Sequence, residues 1–221
     1  VENSLTVDVW GDVVCPFCYL GFQQLRRALS NFDHAEAVSV THHAFELDRG
    51  APHAPEGSLN EMLAAKYGLP LDRAAALNQR VSDSALALGM VWSLDRARPA
   101  NTFDAHRLVA LAATQGRQEA MLERLFRAYF SDGLLVSDRL TLEQLALEVG
   151  VEGAPDALSD DHAFAEEVRR DEEVAARIGI TGVPAFVFNR RGYVSGAQGE
   201  QALLEALNAA WSDESTQAAR P

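Results

Sequence analysis

Leu5-Thr6-Val7-Asp8-Val9-Trp10-Gly11-Asp12-Val13-Val14-Cys15-Pro16-Phe17-Cys18 is the stretch on which the fold turns. Leu5, Val7 and Val9 alternate with Thr6 and Asp8, the period of a half-buried strand. Cys15 and Cys18 follow at once. Beyond them Leu20, Leu25, Ala28, Leu29 and Phe32 recur at helical spacing, so the cysteines open a helix. Pro16 suits the first helical turn, where a missing N–H costs little. Val38 to Leu47 is a second strand candidate, and residues 1–50 form a βαβ unit.

In that setting a Cys-x-x-Cys spacing is a thioredoxin-like redox signal. The chain has two cysteines, so no second pair completes a four-cysteine zinc site. Its 221 residues exceed one average domain, which suggests one domain with a large insertion or two small ones. With 48% hydrophobic and 23% charged residues the composition is globular, against disorder or a fibre. No run approaches the ~18 apolar residues of a membrane span. Net charge is −13, from 19 basic against 32 acidic residues, a field that repels phosphate backbones and anionic lipid. Nucleic acid and membrane are therefore not expected partners. Val1-Glu2-Asn3-Ser4 lacks the basic start of a secretory signal. A cytoplasmic setting is expected, where single disulfides are usually catalytic.

After Arg49 the pattern changes. Gly50, Pro52, Pro55 and Gly57 mark a loop. Ser58 with Glu61 makes a capping box for a helix ending near Gly68, and another runs from Leu71 towards Gly89. Met90 to Arg98 reads as extended. Asn101 with Asp104 caps a helix through Ala112, a further one covers Gln118 to Phe130, and Thr141 with Gln144 opens one that Gly150 stops. A helix from Asp161 to Ile178 ends at Gly179. Ala185 to Asn189 and Tyr193 to Gly196 form a hairpin around Arg191-Gly192, and Glu200 to Trp211 is a last amphipathic helix. The expected fold is α/β, a thioredoxin-like βαβ…ββα frame with a large all-helical insertion. Residues 1–50 and 160–212 make the frame, 51–159 the inserted helical domain, and 213–221 a polar tail.

The residues alone define the chemistry of the pair. A helix N-terminus stabilises a thiolate, and the thiolate is the form that attacks a disulfide. Cys15, preceding the helix, is expected to be the exposed, attacking sulfur. Cys18, one turn deeper, resolves the mixed disulfide. The alternatives are two buried structural cysteines, or a metal pair completed by His42 or His43. Those two histidines face opposite sides of a strand, so at most one can point at a given site; no metal is expected. Asp12 is a candidate proton acceptor near Cys18 or else a capping residue. Trp10, Trp92 and His106 are weaker candidates; as a lone histidine His106 fits packing or hydrogen bonding better than catalysis, and Trp92 fits the core better than a substrate platform. Leu86, Leu88, Met90, Val91 and Trp92 exceed what one buried stripe needs. They are expected either to wall an apolar substrate cleft or to fill the insertion's own core.

Asp12-Val13-Val14-Cys15-Pro16-Phe17-Cys18, Pro99-Ala100-Asn101-Thr102-Phe103-Asp104-Ala105-His106-Arg107-Leu108 and Gly179-Ile180-Thr181-Gly182-Val183-Pro184-Ala185-Phe186-Val187 resemble the DsbA family of thioredoxin-fold oxidoreductases. The second stretch narrows the resemblance to the FrnE-like branch. The resemblance covers most of the chain and implies a protein-disulfide oxidoreductase with a redox-active centre at Cys15 and Cys18. Pro16, Phe17, Val183 and Pro184 are then its substrate-binding residues. It implies a cis Val183-Pro184 bond beside the cysteines, with the Val183 backbone receiving an extended substrate by strand addition. No cofactor is implied beyond the disulfide itself, with glutathione a candidate co-substrate. The implied partner is a disulfide-containing protein or small molecule, and the chain a monomer or homodimer. The same fold and insertion recur in 2-hydroxychromene-2-carboxylate isomerases and kappa-class glutathione transferases. A glutathione-linked isomerase or transferase is therefore the alternative function, although these usually hold Ser at the first cysteine position and the presence of both Cys15 and Cys18 favours redox chemistry. A binding module without catalysis is the third.

Two features depart from these relatives. No second cysteine pair stands near the C-terminus, and Phe17 stands where oxidising DsbA proteins carry His. Phe17 offers the thiolate neither charge nor hydrogen bond. The couple is therefore expected to move from a DsbA-like potential of about −120 mV towards thioredoxin's, about −270 mV. Equilibration with glutathione buffers checks this. Phe17→His is expected to be the more oxidising protein; a variant equal to or more reducing than wild type removes the thiolate argument.

Overall fold

A computed structural model describes residues 4–53 and 56–218. Val1 to Asn3 and Pro55, on which the leader and loop expectations partly rest, lie outside the described residues. The chain divides into two compact units. One takes the chain up to Phe45 and again from Asp171 onward, and the other is Glu46–Arg170. The sequence placed its two boundaries at residues 50 and 160, both of which fall inside the second unit.

The first unit is built on strand β1 (Leu5–Gly11), helix α1 (Pro16–Ser30) and strand β2 (Val38–Ala44). β3 (Ala185–Phe188) and β4 (Gly192–Ser195) complete a sheet of order β2-β1-β3-β4. β2 runs parallel to β1, while β3 is antiparallel to β1 and β4 to β3. This is the expected βαβ…ββα frame. The alternation in β1 sorts the two faces. Leu5, Val7 and Val9 join Phe186 and Phe188 beneath Leu25 and Ala28 of α1, Phe32 just beyond that helix, and Leu203 and Leu207 of the last helix. Each such burial stabilises by about 1.5–3 kcal/mol, which is why α1 is held firmly on its own stripe. Trp10 faces the other way, with Ala175, Ile180 and Ala185.

The second unit is helical. It contains α2 (Leu59–Tyr67), α3 (Leu71–Ala87), α4 (Phe103–Thr114), α5 (Gln118–Arg127), α6 (Arg139–Val149) and α7 (Ala154–Ser159). The Ser58/Glu61 capping box forms as expected, and Gly68 and Gly150 end their helices in the left-handed region that glycine enters freely. Arg107 is the unit's buried hub. It donates to Asp104 Oδ1 at 2.6 Å, to the Ala163 carbonyl at 2.7 Å and to the carbonyls of Ala157 and Asp160. An ion pair between Arg169 and Glu46 joins the two ends of the unit.

Several boundaries correct the sequence. Asp138 caps α6, its Oδ2 accepting from Thr141 N at 2.9 Å and Thr141 Oγ1 at 2.7 Å; Thr141 is the donor, not the cap. Asn101 accepts from Phe103 N–H at 3.0 Å, yet the N-cap position belongs to Thr102. Met90 to Arg98 forms turns and no strand. The helix expected from Asp161 is α8 (Ala165–Arg177), because Phe164 at φ 58° leaves the helical region. The last helix, α9, spans Glu200–Ala218 and absorbs most of the expected tail. Polarity alone does not stop a helix, and neither Gly nor Pro stands between Trp211 and Ala218.

His42 of β2 faces α1, its ring 5.6 Å from that of Phe22. Burial and then the charge of His43 push its pKa down from 6.5 to about 4. The folded chain therefore resists a proton that the unfolded chain accepts. Its contribution is present above pH 6.5 and lost as pH falls towards 4, by about 3 kcal/mol at most. Urea unfolding at pH 7 and pH 4.5 is expected to show this loss in wild type and a much smaller one in His42→Phe. An equal loss in both would place the proton uptake elsewhere.

A candidate dithiol site

Strand pairing ends at Trp10 opposite Ala185, and the two chain segments beyond that pair make the site. On one side, Cys15 takes the N-cap position of α1 with extended backbone, and Pro16 follows it inside the first turn. Its carbonyl accepts from the N–H groups of Cys18 at 3.0 Å and Tyr19 at 3.2 Å. On the other side, the Val183-Pro184 peptide bond is cis, and the Pro184 carbonyl accepts from Gly196 N–H at 2.7 Å. The Cys15 thiol meets the Val183 carbonyl at an Sγ–O distance of 3.8 Å.

Cys15 is 3% exposed, which corrects the expectation of an exposed sulfur. The Val183 carbonyl stands over it. Exposure passes instead to Phe17, 50% accessible between the two cysteines. Cys18 lies equally deep. Burial pushes its thiol well above the ordinary range, and the hydrogen bond and charge of Cys15 push it further; the Asp12 backbone N–H, 3.5 Å from Cys18 Sγ, opposes them weakly. Cys18 is thus the sulfur held as a thiol. Asp12 is buried beside it, and its carbonyl accepts from Cys15 N–H at 3.1 Å.

The first unit therefore brings together Cys15, Cys18, Pro16, Phe17, Asp12, Val183 and Pro184. Trp10 reaches the same region through its packing with Val183 and Ile180. Trp92 and His106 belong to the second unit: Trp92 stacks on Phe130 at 4.7 Å, and His106 is buried in α4.

Two residues at the site were not singled out in the sequence. A Cβ built on Gly11 would stand 3.4 Å from Cys18 Sγ. One built on Gly21 would stand 2.9 Å from Phe186 Cζ and 3.1 Å from Pro184 Cγ. A glycine inside α1 costs about 1 kcal/mol against alanine, a local penalty that could have flagged a close approach. Here it lets the cysteine helix sit directly on Pro184. His43, weighed in the sequence only as a metal ligand, bridges Asp8 and Asp171 on the Trp10 face.

Comparison with known proteins adds relatives to this geometry. Residues 6–208 match the profile described as the DSBA-like thioredoxin domain. The chain is similar to the crystal structure of a probable DsbA oxidoreductase from Streptomyces coelicolor, with 39% identity and a TM-score of 0.90 over 94% of this chain and 90% of that one. It shares its fold with the cytosolic disulfide reductase DsbM of Pseudomonas aeruginosa, solved with GSH, at 21% identity and a TM-score of 0.65 over 92% and 98% of the two chains. It also shares its fold with a 2-hydroxychromene-2-carboxylate isomerase, at 16% identity and a TM-score of 0.69 over 97% and 100%. Among the described residues no helix is long and apolar enough to cross a membrane.

Gly21→Ala is expected to lift α1 from Pro184 and Phe186, at a cost of about 1–3 kcal/mol from overpacking. Thermal unfolding should register that loss, and the rate of thiol exchange should fall with it. Wild-type stability in this variant would show that the helix has room to spare.

Proposed function

The chain belongs to the DSBA-like thioredoxin domain family, and from that premise we propose that it is a thiol–disulfide oxidoreductase working through Cys15 and Cys18. The observation that carries this reading is the Cys15 sulfur 3.8 Å from the carbonyl before the cis proline, with a second thiol behind it. Cys15 takes the N-cap position of α1. Its thiolate attacks one sulfur of the substrate, the substrate S–S bond breaks, and the departing sulfur takes up a proton. Cys18 loses its proton to a nearby base, for which buried Asp12 is the candidate, and attacks the Cys15 sulfur. The substrate leaves as a dithiol with two electrons gained, and the enzyme is left as a disulfide. Run backwards, the same steps oxidise a substrate.

Val183 presents its backbone to an extended substrate, and exposed Phe17 adds an apolar contact. Exposed Phe17 beside the two thiols supports an apolar substrate, a partly unfolded chain or an aromatic disulfide. Glutathione is a candidate co-substrate, since the Pseudomonas reductase was solved with GSH. The FrnE-like branch rests on Pro99 to Leu108, the stretch that opens α4, and a cytoplasmic setting on the usual role of single disulfides there. A glutathione-linked isomerase shares the fold, but it has no use for Cys18 beside Cys15.

Reduction of insulin disulfides, with glutathione as electron donor, is expected in wild type and abolished in Cys15→Ser. The wild-type thiol titre should move between two and none as reductant is added and removed. Full activity in Cys15→Ser, or a titre that ignores reductant, contradicts the proposal.

A further inference from the structure

On the sheet face that carries Trp10, three side chains form an ionic group. His43 Nε2 lies 2.9 Å from Asp8 Oδ1, and His43 Nδ1 lies 2.7 Å from Asp171 Oδ1. Both ring nitrogens thus meet carboxylate oxygens, and only an imidazolium can donate from both. The contacts do not stop at the ring. Asp171 Oδ2 accepts from Ala44 N–H at 2.9 Å, and the Asp171 carbonyl accepts from Trp10 Nε1 at 3.0 Å. Trp10 stacks on His43 with centroids 4.4 Å apart and planes at 17°. The stretch of α8 from Asp171 is fastened in this way to both β1 and β2.

That stretch leads straight to the site. Ala175, Ile180, Val183 and Ala185 pack with Trp10 in one apolar cluster, and Val183 carries the carbonyl against Cys15. We infer that His43 is a positioning residue for thiol–disulfide exchange: with Asp8 and Asp171 it clamps α8 to the sheet, and through Trp10 it sets the height of Val183 above Cys15. The inference rests on the proposed function, since it assigns a purpose to the Val183 backbone as the docking edge for an extended substrate. It makes the clamp matter most for substrates that use that edge.

A pH dependence follows. Burial alone would lower the His43 pKa, but the hydrogen bonds and charges of Asp171 and Asp8 outweigh it, and the net shift is upward from 6.5. His42, next on the strand, is held neutral by its own burial at physiological pH. The clamp is therefore complete below about pH 6.5 and lost as pH rises through the raised value. A neutral ring keeps one donor, leaving one carboxylate facing a lone pair.

The test compares two probes, a disulfide-linked extended peptide and hydroxyethyl disulfide, which has no peptide backbone. His43→Phe keeps the stack on Trp10 and removes both hydrogen bonds. It is expected to raise KM for the peptide about tenfold, the scale of one lost charge-assisted bond, and to lower the preference for peptide over hydroxyethyl disulfide by the same factor. Asp171→Asn should move both quantities in the same direction. In wild type, peptide KM should climb over the pH range in which NMR shows the His43 ring losing its proton, and in His43→Phe it should be flat there. Equal peptide KM in wild type and variant, or equal loss on both probes, overturns the positioning role. If His43→Phe does not fold, the wild-type series decides: coincident inflections support the clamp, and separated ones overturn it. Absence of exchange with either probe in wild type would overturn the proposed function as well, which distinguishes the two failures.

Discussion

The last residues paired between β1 and β3 are Trp10 and Ala185; β1 stays paired with β2 for one residue more, Gly11 opposite Ala44, before the chain leaves the sheet. That register decides what meets what. One residue further on the β3 side stands Pro184, with Val183 before it. On the β1 side the chain turns through Gly11 and Asp12 into the N-terminus of α1. A slip of one residue would send Leu5, Val7 and Val9 to the wrong face and carry Cys15 away from Val183. The apolar contacts of Phe186 and Phe188 with α1 and α9 hold the register because those side chains fit on one face only. The chemistry of the thiols is thus held by side chains that never touch them.

Close approach is the second constraint. Gly21 lets α1 rest on Pro184 and Phe186, and Gly11 leaves space for the Cys18 sulfur. The result is a pair of sulfurs with little access to solvent, one of them strongly disfavoured as a thiolate by burial. Such a pair has different roles for its members. In the proposed mechanism the sulfur at the helix terminus attacks the substrate, and the one held as a thiol acts on its neighbour. The asymmetry comes from the fold, because the two cysteines are chemically identical.

Much of this was legible in the sequence wherever the signal was local. The alternation from Leu5 to Val9, the Pro16 that follows Cys15, the Ser58/Glu61 box and Gly150 each act within a few residues and read correctly. The errors also have local causes. Asp138 took the cap assigned to Thr141, because both residue types can accept from a helix N-terminus and spacing does not choose between them. α9 outran its last apolar residue because nothing stops it. What could not be read was long-range. The carbonyl that covers Cys15 comes from Val183, and His43 finds Asp171 across most of the chain. The cis Val183-Pro184 bond came from family resemblance, since X-Pro bonds in folded chains are mostly trans.

The claim at the centre of the account is that Cys15 attacks and Cys18 resolves. Trapping tests it directly. Cys18→Ser, exposed to a disulfide-linked peptide and analysed by intact mass and fragmentation, should accumulate one peptide joined through a disulfide to Cys15. Cys15→Ser under the same conditions should stay unmodified, its remaining sulfur buried and held as a thiol. An adduct that forms on Cys18 as readily as on Cys15, or no adduct on Cys15 at all, would contradict the account.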